Sequence, residues 1–382
     1  MVRQPSLGAN ILICASLSFI ACLPARADLL DSYRQQNLVS DLPGQAARLD
    51  PNLVNPWGIA FSATSPIWLA DNGTGLSTLY NGSGGKLPLV VTIPPPSGGL
   101  PPSAPTGVVF NPGASFDGDK FIFATEDGTI AGWSGGTTAA LRVDNSGAGA
   151  VYKALALGST AGGNLIYAAN FNSGNIDVFN ANYGPTSVSG SFTDPNLPAG
   201  YAPFDIQNID GKLYVTYAVQ DAAKHDDVAG LGNGLVDVFD LNGNLLQRLV
   251  SNGPLDSPWG LALAPSGFGA FSGDLLVGNF GNGLINAFDP STGAFKGVLD
   301  DANGTPIEIP GLWGLAFGNG SQGTKSNDLY FTAGIPGPGK VEDHGLFGDL
   351  ETAPEPTSIV LFGTALLTCA FFVRRRRRNQ IS

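Results

Sequence analysis

Asn55-Pro56-Trp57-Gly58-Ile59-Ala60-Phe61 is the first of a set of near-copies spread along this chain. It returns as Ala104-Pro105-Thr106-Gly107-Val108-Val109-Phe110, as Ser257-Pro258-Trp259-Gly260-Leu261-Ala262-Leu263 and as Gly311-Leu312-Trp313-Gly314-Leu315-Ala316-Phe317. Fainter members begin at Tyr152 and at Ala202-Pro203-Phe204. A proline or small residue followed by a short apolar run reads as a strand that starts at a turn. Self-similarity at a spacing of roughly 50 residues marks a repeat architecture.

Each start is followed by a second strand: Ile67 to Ala70, Phe121 to Thr125, Leu165 to Ala169, Leu213 to Tyr217, Leu275 to Gly278 and Leu329 to Thr332. A third follows in most units, as in Ile176 to Phe179, Leu235 to Phe239 and Leu284 to Phe288. Turns such as Asp240-Leu241-Asn242-Gly243 then lead to a fourth. No amphipathic helix of useful length interrupts this pattern. An all-β fold follows, a six-bladed β-propeller of four-stranded sheets. Stacking the blades radially buries both apolar faces of each and leaves only short edges. The last unit lacks an outer strand of its own, since its third strand, Gly345 to Leu350, runs into a linker. Asn37 to Leu42 is expected to supply it and close the ring, because Leu38-Val39-Ser40 echoes Leu249-Val250-Ser251. Trp57, Trp259 and Trp313 share one repeat position, which suits packing between blades better than stacking on a ligand.

Both ends of the chain carry addresses. Arg3, the apolar run Ile11 to Leu23 and the small residues Ala25 and Ala27 form a signal peptide over residues 1–27, with cleavage before Asp28. A lipoprotein site at Cys22 is a rival, though Phe19 suits it poorly. After the body (28–350) and a linker (351–356) come Pro354-Glu355-Pro356, an apolar run over 357–373 and a basic tail over 374–382 with Arg374, Arg375, Arg376, Arg377 and Arg378. The run would be about 25 Å long as a helix, at the short end of a membrane span. The arginines would hold the C-terminus in the cytoplasm. The three parts in this order resemble the PEP-CTERM sorting signal of Gram-negative bacteria. That resemblance implies the Sec translocon, signal peptidase and an exosortase as partners. The precursor would sit in the inner membrane and the mature body at the cell surface or outside the cell.

Processing changes the chemistry of the chain. Cys14, Cys22 and Cys369 all lie in the end segments, so the body contains no disulfide, metal thiolate or cysteine nucleophile. The precursor carries a net charge of −12. Residues 28–353 keep twelve basic and thirty acidic residues, a net charge near −18. Such a surface excludes nucleic acid as a partner and repels anionic polymers unless cations intervene.

Pro56-Trp57-Gly58-Ile59-Ala60 with Trp68-Leu69-Ala70-Asp71-Asn72-Gly73 resembles the blades of NHL-type and gluconolactonase-like propellers. Residues 36 to 350 more closely resemble an uncharacterised bacterial family of exported propellers that often carry PEP-CTERM tails. The resemblance rests on Phe123-Ala124-Thr125-Glu126-Asp127-Gly128, His225-Asp226-Asp227-Val228-Ala229-Gly230, Val277-Gly278-Asn279-Phe280-Gly281 and His344-Gly345-Leu346-Phe347-Gly348.

Aligning the second strands sets Asn72, Glu126, Asn170, Tyr217, Asn279 and Ala333 just past the strand ends, in loops that gather at one mouth of the channel. Asn72, Glu126, Asn170 and Asn279 are candidate oxygen ligands for calcium or another divalent cation. The gluconolactonase resemblance implies a metal at that face that polarises a lactone carbonyl. The competing explanation is that Asn and Gly suit tight turns. The longest loop within a blade, Gln220 to Gly234, offers His225 and Asp226 as metal ligands or a general base, and His344 would join them if both loops reach the same mouth. With two histidines and no cysteine in the body, little is available for a nucleophilic triad. The sequence therefore favours a non-catalytic surface or matrix module binding polysaccharide, including exopolysaccharide, protein or a small ligand. A metal-dependent, lactonase-type hydrolase and a calcium-stabilised structural propeller are the alternatives.

Overall fold

The computed structural model describes residues 32–338 and 341–353. The signal peptide, Ala25, Ala27, Pro354-Glu355-Pro356, the 357–373 span and Arg374 to Arg378 lie outside these residues. Among the described residues no helix is long and apolar enough to cross a membrane.

Six radial sheets form the propeller. The first blade runs through strands Pro56–Ala60, Ile67–Asp71, Leu76–Tyr80 and Lys86–Thr92. The inner strands of the next four blades are Pro105–Phe110, Tyr152–Thr160, Tyr201–Ile209 and Pro258–Leu263. Within each of these sheets the strands lie in chain order from the axis outward. The second strands match the apolar runs of the sequence closely. Alternating Ala, Val, Ile, Leu and Phe there fill the spaces between sheets, so every residue of Ile67–Asp71 and Phe121–Thr125 is buried.

The sixth blade has three strands from the C-terminal side, Leu312–Phe317, Leu329–Ala333 and Leu346–Thr352. Tyr33–Ser40 completes it, antiparallel to Leu346–Thr352 with Tyr33 opposite Thr352 and Ser40 opposite Leu346. The closing strand starts four residues before the expected Asn37. Tyr33 draws it inward, its buried ring packing on Phe268 and its hydroxyl donating to the Phe268 carbonyl at 2.9 Å. The strand stops at Ser40, whose hydroxyl donates to the Gly345 carbonyl at 2.7 Å. N- and C-terminal segments thus share one sheet, so opening the ring requires separating a full strand pair.

One irregularity recurs in all six blades. The inner strand pairs with the second strand at its first residue, or its first three in the fourth blade, and the ladder then slips. The residue after each slip is small in five blades, because the backbone of the next inner strand passes close by. A Cβ on Gly58 would stand 2.5 Å from the Thr106 carbonyl oxygen, and one on Gly314 would stand 2.6 Å from that of Trp57. The Trp-Gly dipeptide of the repeat is therefore a bulge followed by a close contact between blades.

Candidate functional site

A β-bulge swings its extra residue out of the pleat and re-aims its side chain. Here the bulged residues are Trp57, Thr106, Lys153, Phe204, Trp259 and Trp313, one per blade. They meet across the ring, which places them on the axis. Trp57 and Trp313 stack at 3.6 Å between ring centroids, and Trp259 stands edge-on to them at 6.1 and 5.8 Å. Phe280 stacks on the other side of Trp313 at 4.0 Å, and Phe204 lies 5.8 Å from it. Trp57, Trp259 and Trp313 are all buried, so the aromatic cluster seals the channel and offers no open face for a ligand to stack on.

Lys153 is the exception in this ring of side chains. Its ammonium lies 5.1 Å from the Trp57 ring centroid and 5.7 Å from that of Phe171. It pairs with the Glu126 carboxylate and stands 3.5 Å from Asp226 Oδ1. Burial alone would push the Lys153 pKa down, but Glu126 outweighs it and the pKa is raised, so the ammonium stays charged. A network spreads from this pair over the first, second and sixth blades. Asn72 donates to Glu126 Oε2 at 2.8 Å, and Asn55 donates to Asn72 Oδ1 at 3.3 Å and Glu342 Oε1 at 3.0 Å. Trp313 Nε1 donates to Asn55 Oδ1 at 3.0 Å, coupling the plug to the polar layer. Burial pushes Glu342 up to about 7, with the Asn55 hydrogen bond opposing it.

The six aligned strand-end residues divide into two layers. By strand pairing the equivalent positions are Asp71, Thr125, Asn170, Tyr217, Asn279 and Ala333, opposite Pro56, Pro105, Tyr152, Pro203, Pro258 and Leu312. Asn72 and Glu126 stand one residue further on, level with Phe171 and Phe280. One residue along a strand reverses the side chain, so the two sets point in opposite directions. Asn170 accepts from the Val151 and Ser173 amides at 3.3 Å each and donates to Asp177 at 2.9 Å. Asn279 donates to the Pro254 carbonyl at 2.8 Å and to Asn282 at 3.0 Å. These two asparagines tie turns together, while Asn72 and Glu126 belong to the mouth.

His225 and Asp226 reach the same mouth. His225 Nδ1 lies 2.8 Å from Asp226 Oδ1, both are exposed, and one ligating atom from each comes within 4.8 Å of a Glu126 oxygen. His344 does not join them. Its Nδ1 lies 2.6 Å from Asp41 Oδ2, and Asp41 Oδ1 accepts the Gly345 amide at 2.8 Å, so His344 belongs to the ring closure. Sequence reasoning missed Lys153, Asn55 and Glu342. A signal for Lys153 was present, because it is the one charged residue at the repeat position held elsewhere by Trp, Phe or Thr.

A metal held by the gluconolactonase-like ligand set does not fit these residues. The Asn170 oxygen serves two turn amides, the Asn279 oxygen is buried without a hydrogen-bond partner in that same turn layer, away from Asn72 and Glu126, and the Lys153 ammonium already stands against Glu126. The trio Glu126, His225 and Asp226 forms a different possible ligand set, and Lys153 contacts two of its three members.

The PEP-CTERM protein-sorting motif matches residues 352–378. This chain is thus an exported β-propeller with a C-terminal sorting signal. Two solved structures share the fold at low sequence identity. A protein of unknown function from Bacteroides thetaiotaomicron is 12% identical with a TM-score of 0.51, over 83% of this chain and 73% of that one. A glucose dehydrogenase is 13% identical with a TM-score of 0.50, over 84% and 99%. These likenesses bear on architecture alone. Sequence relatives occur in Acanthamoeba polyphaga mimivirus: the uncharacterized protein R648 is 33% identical over 82% of this chain and 79% of its own length, and L690 is 32% identical over 81% and 84%. The chain belongs to the family that includes these two viral proteins.

Proposed function

We propose that this exported propeller is a binding module, holding a neutral or amine-bearing ligand, such as a polysaccharide, at the mouth ringed by Glu126, Asp226 and Glu342. The observation that carries this reading is the Lys153–Glu126 pair. The cation of the mouth is buried against its own carboxylate and the Trp57 ring, so it is committed to structure rather than poised to react. A lysine that acts as a base or forms an imine needs a lowered pKa, and that of Lys153 is raised. The surrounding Asp127, Asp221 and Asp226 leave the mouth acidic, which repels anionic polymers and favours hydroxyl or amine donors. Sorting would anchor the precursor in the inner membrane with its tail cytoplasmic, and exosortase would act near Pro354-Glu355-Pro356.

The second reading, a metal-dependent hydrolase, is favoured by the convergence of Glu126, His225 and Asp226. One experiment separates the two: elemental analysis of the purified exported protein, then a lactone panel with and without chelator. Under the binding reading, no stoichiometric divalent ion and no turnover are found, while a neutral-glycan affinity gel retards the protein and Asp226→Asn weakens that retardation. One tightly bound ion with chelator-sensitive turnover, lost in Glu126→Gln, would sink the binding reading.

A further inference from the structure

Beneath the aromatic plug the channel widens into a cavity of about 580 Å³ lined by the inner strands, from Gly58 and Trp259 down to Phe61 and Phe317. Its partly exposed lining is mostly apolar and includes Ile59, Val109, Leu157 and Leu263. Each inner strand is hydrogen-bonded on its outer side only, so its free carbonyls and amides edge the cavity. One ionisable side chain lines it among the described residues, Asp205. This residue follows the fourth blade's bulge, where the other blades carry Gly58, Gly107, Ala154, Gly260 and Gly314. Asp205 is 3% exposed and its Oδ2 has no hydrogen-bond partner. No cation among the described residues is paired with it. An unpaired buried carboxylate oxygen costs stability, and the other five blades have no polar side chain at this position.

We infer that this lower channel is a second binding site, taking a small organic ammonium whose apolar body lies along the wall of Ile59, Val109, Leu157 and Leu263 and whose charged end meets Asp205. The match is one of donors to acceptors. An ammonium offers three donors, one for the Asp205 carboxylate and the others for free strand-edge carbonyls. The apolar remainder removes the partly exposed apolar wall from water. Burial raises the Asp205 pKa to about 8, and a bound cation would offset that penalty. A neutral ligand of the same shape gains the apolar contacts alone.

The test uses 2-phenylethylamine against 2-phenylethanol, with the full exported protein, by calorimetry and by the fluorescence of Trp259 in the cavity wall. The amine is expected to bind, with the alcohol at least about tenfold weaker, as a charge-assisted hydrogen bond implies. Asp205→Asn should remove that preference, lowering affinity for the amine by at least about tenfold and leaving the alcohol unchanged. Ala316→Phe, which fills the lumen without touching the carboxyl, should abolish binding of both and decides the matter if Asp205→Asn does not fold. No binding of the amine at millimolar concentration, equal binding by Asp205→Asn, or undiminished binding by Ala316→Phe would each overturn the assignment. Asp205→Asn should leave retention on the neutral-glycan gel unchanged, which separates failure here from failure of the reading at the mouth.

Discussion

Asn170 and Phe171 are adjacent in sequence, yet they belong to different layers of the molecule. Asn170 lies in a layer with Asp71, Thr125, Tyr217, Asn279 and Ala333, whose side chains turn back into their own blades. Phe171 lies in a layer with Asn72, Glu126 and Phe280, whose side chains reach over the channel. The first layer holds hairpins together and the second builds the mouth. The mouth is itself uneven: the second-strand ends supply Asn72 and Glu126 in the first two blades, but Phe171 and Phe280 in the third and fifth. Repetition of the fold therefore fixes where a side chain points, while departures from the repeat decide what it does there.

The largest expected effect breaks the mouth layer at its ion pair. Glu126→Gln would leave the Lys153 ammonium buried beside Trp57 with exposed Asp226, at 3.5 Å, as its remaining ion-pair partner. Losing one partner of such a pair should cost about 3 kcal/mol, read as a drop in the denaturation midpoint at unchanged slope. Adding Lys153→Met to the same chain should restore most of it, because an unbranched apolar side chain fits between Trp57 and Phe171. A single substitution costing nothing would mean that the pair is solvated and the layer is not a sealed one.

Glu342 sharpens the same layer through pH. Its folded pKa, about 7, lies above its ordinary value of 4.5, chiefly because of burial. The folded protein then holds a proton that the unfolded chain releases, so stability is greatest below about 4.5 and falls as pH rises toward 7. The fall should total about 2 kcal/mol after allowance for partial exposure. Glu342→Gln should remove that share of the fall, measured by denaturant titration at several pH values, and leave the share of Asp237 and Asp349, which burial likewise raises to about 6 and about 7. A profile as steep as that of the parent would place the titrating group elsewhere.

The fold was legible because its signals are local and repeated. Trp57-Gly58, Trp259-Gly260 and Trp313-Gly314 mark the bulge of each inner strand, and the apolar runs from Ile67 to Leu329 mark the second strands. The ring closure was legible from the echo at Leu38-Val39-Ser40, although the buried Tyr33 that extends it gave no repeat signal. The mouth was only half legible. Glu126 and Asn72 could be set over the channel, but aligning them with Asn170 and Asn279 hid a one-residue offset that only strand pairing shows. Asn55 heads the first repeat copy, where the other clear copies have Ala104, Ser257 and Gly311, and Glu342 comes from a connecting loop; nothing in a single sequence brings residues 55, 72, 126 and 342 together. His225 and His344 looked alike because each neighbours acidic residues, yet Asp41 from the closing strand claims the second.

The smallest predicted effects compare the two layers directly. Asn170→Ala removes a side chain that accepts two amides and donates to Asp177, which itself also accepts from the Tyr152 hydroxyl at 2.9 Å. The Val151 amide is buried and would lose its acceptor, so the substitution should cost about 1.5 kcal/mol, within the range for an orphaned buried donor. Asn72→Ala removes a hydrogen bond to a partly exposed carboxylate that keeps Lys153 and a long one from Asn55, which keeps Glu342, and water can replace both. Its cost should be about 0.5 kcal/mol, while ligand retention at the mouth falls because Glu126 loses the group that orients it. Equal losses of stability from the two substitutions would erase the distinction between a turn layer and a mouth layer. A large loss of binding with Asn170→Ala at full stability would reverse it, returning the strand-end asparagines to the site.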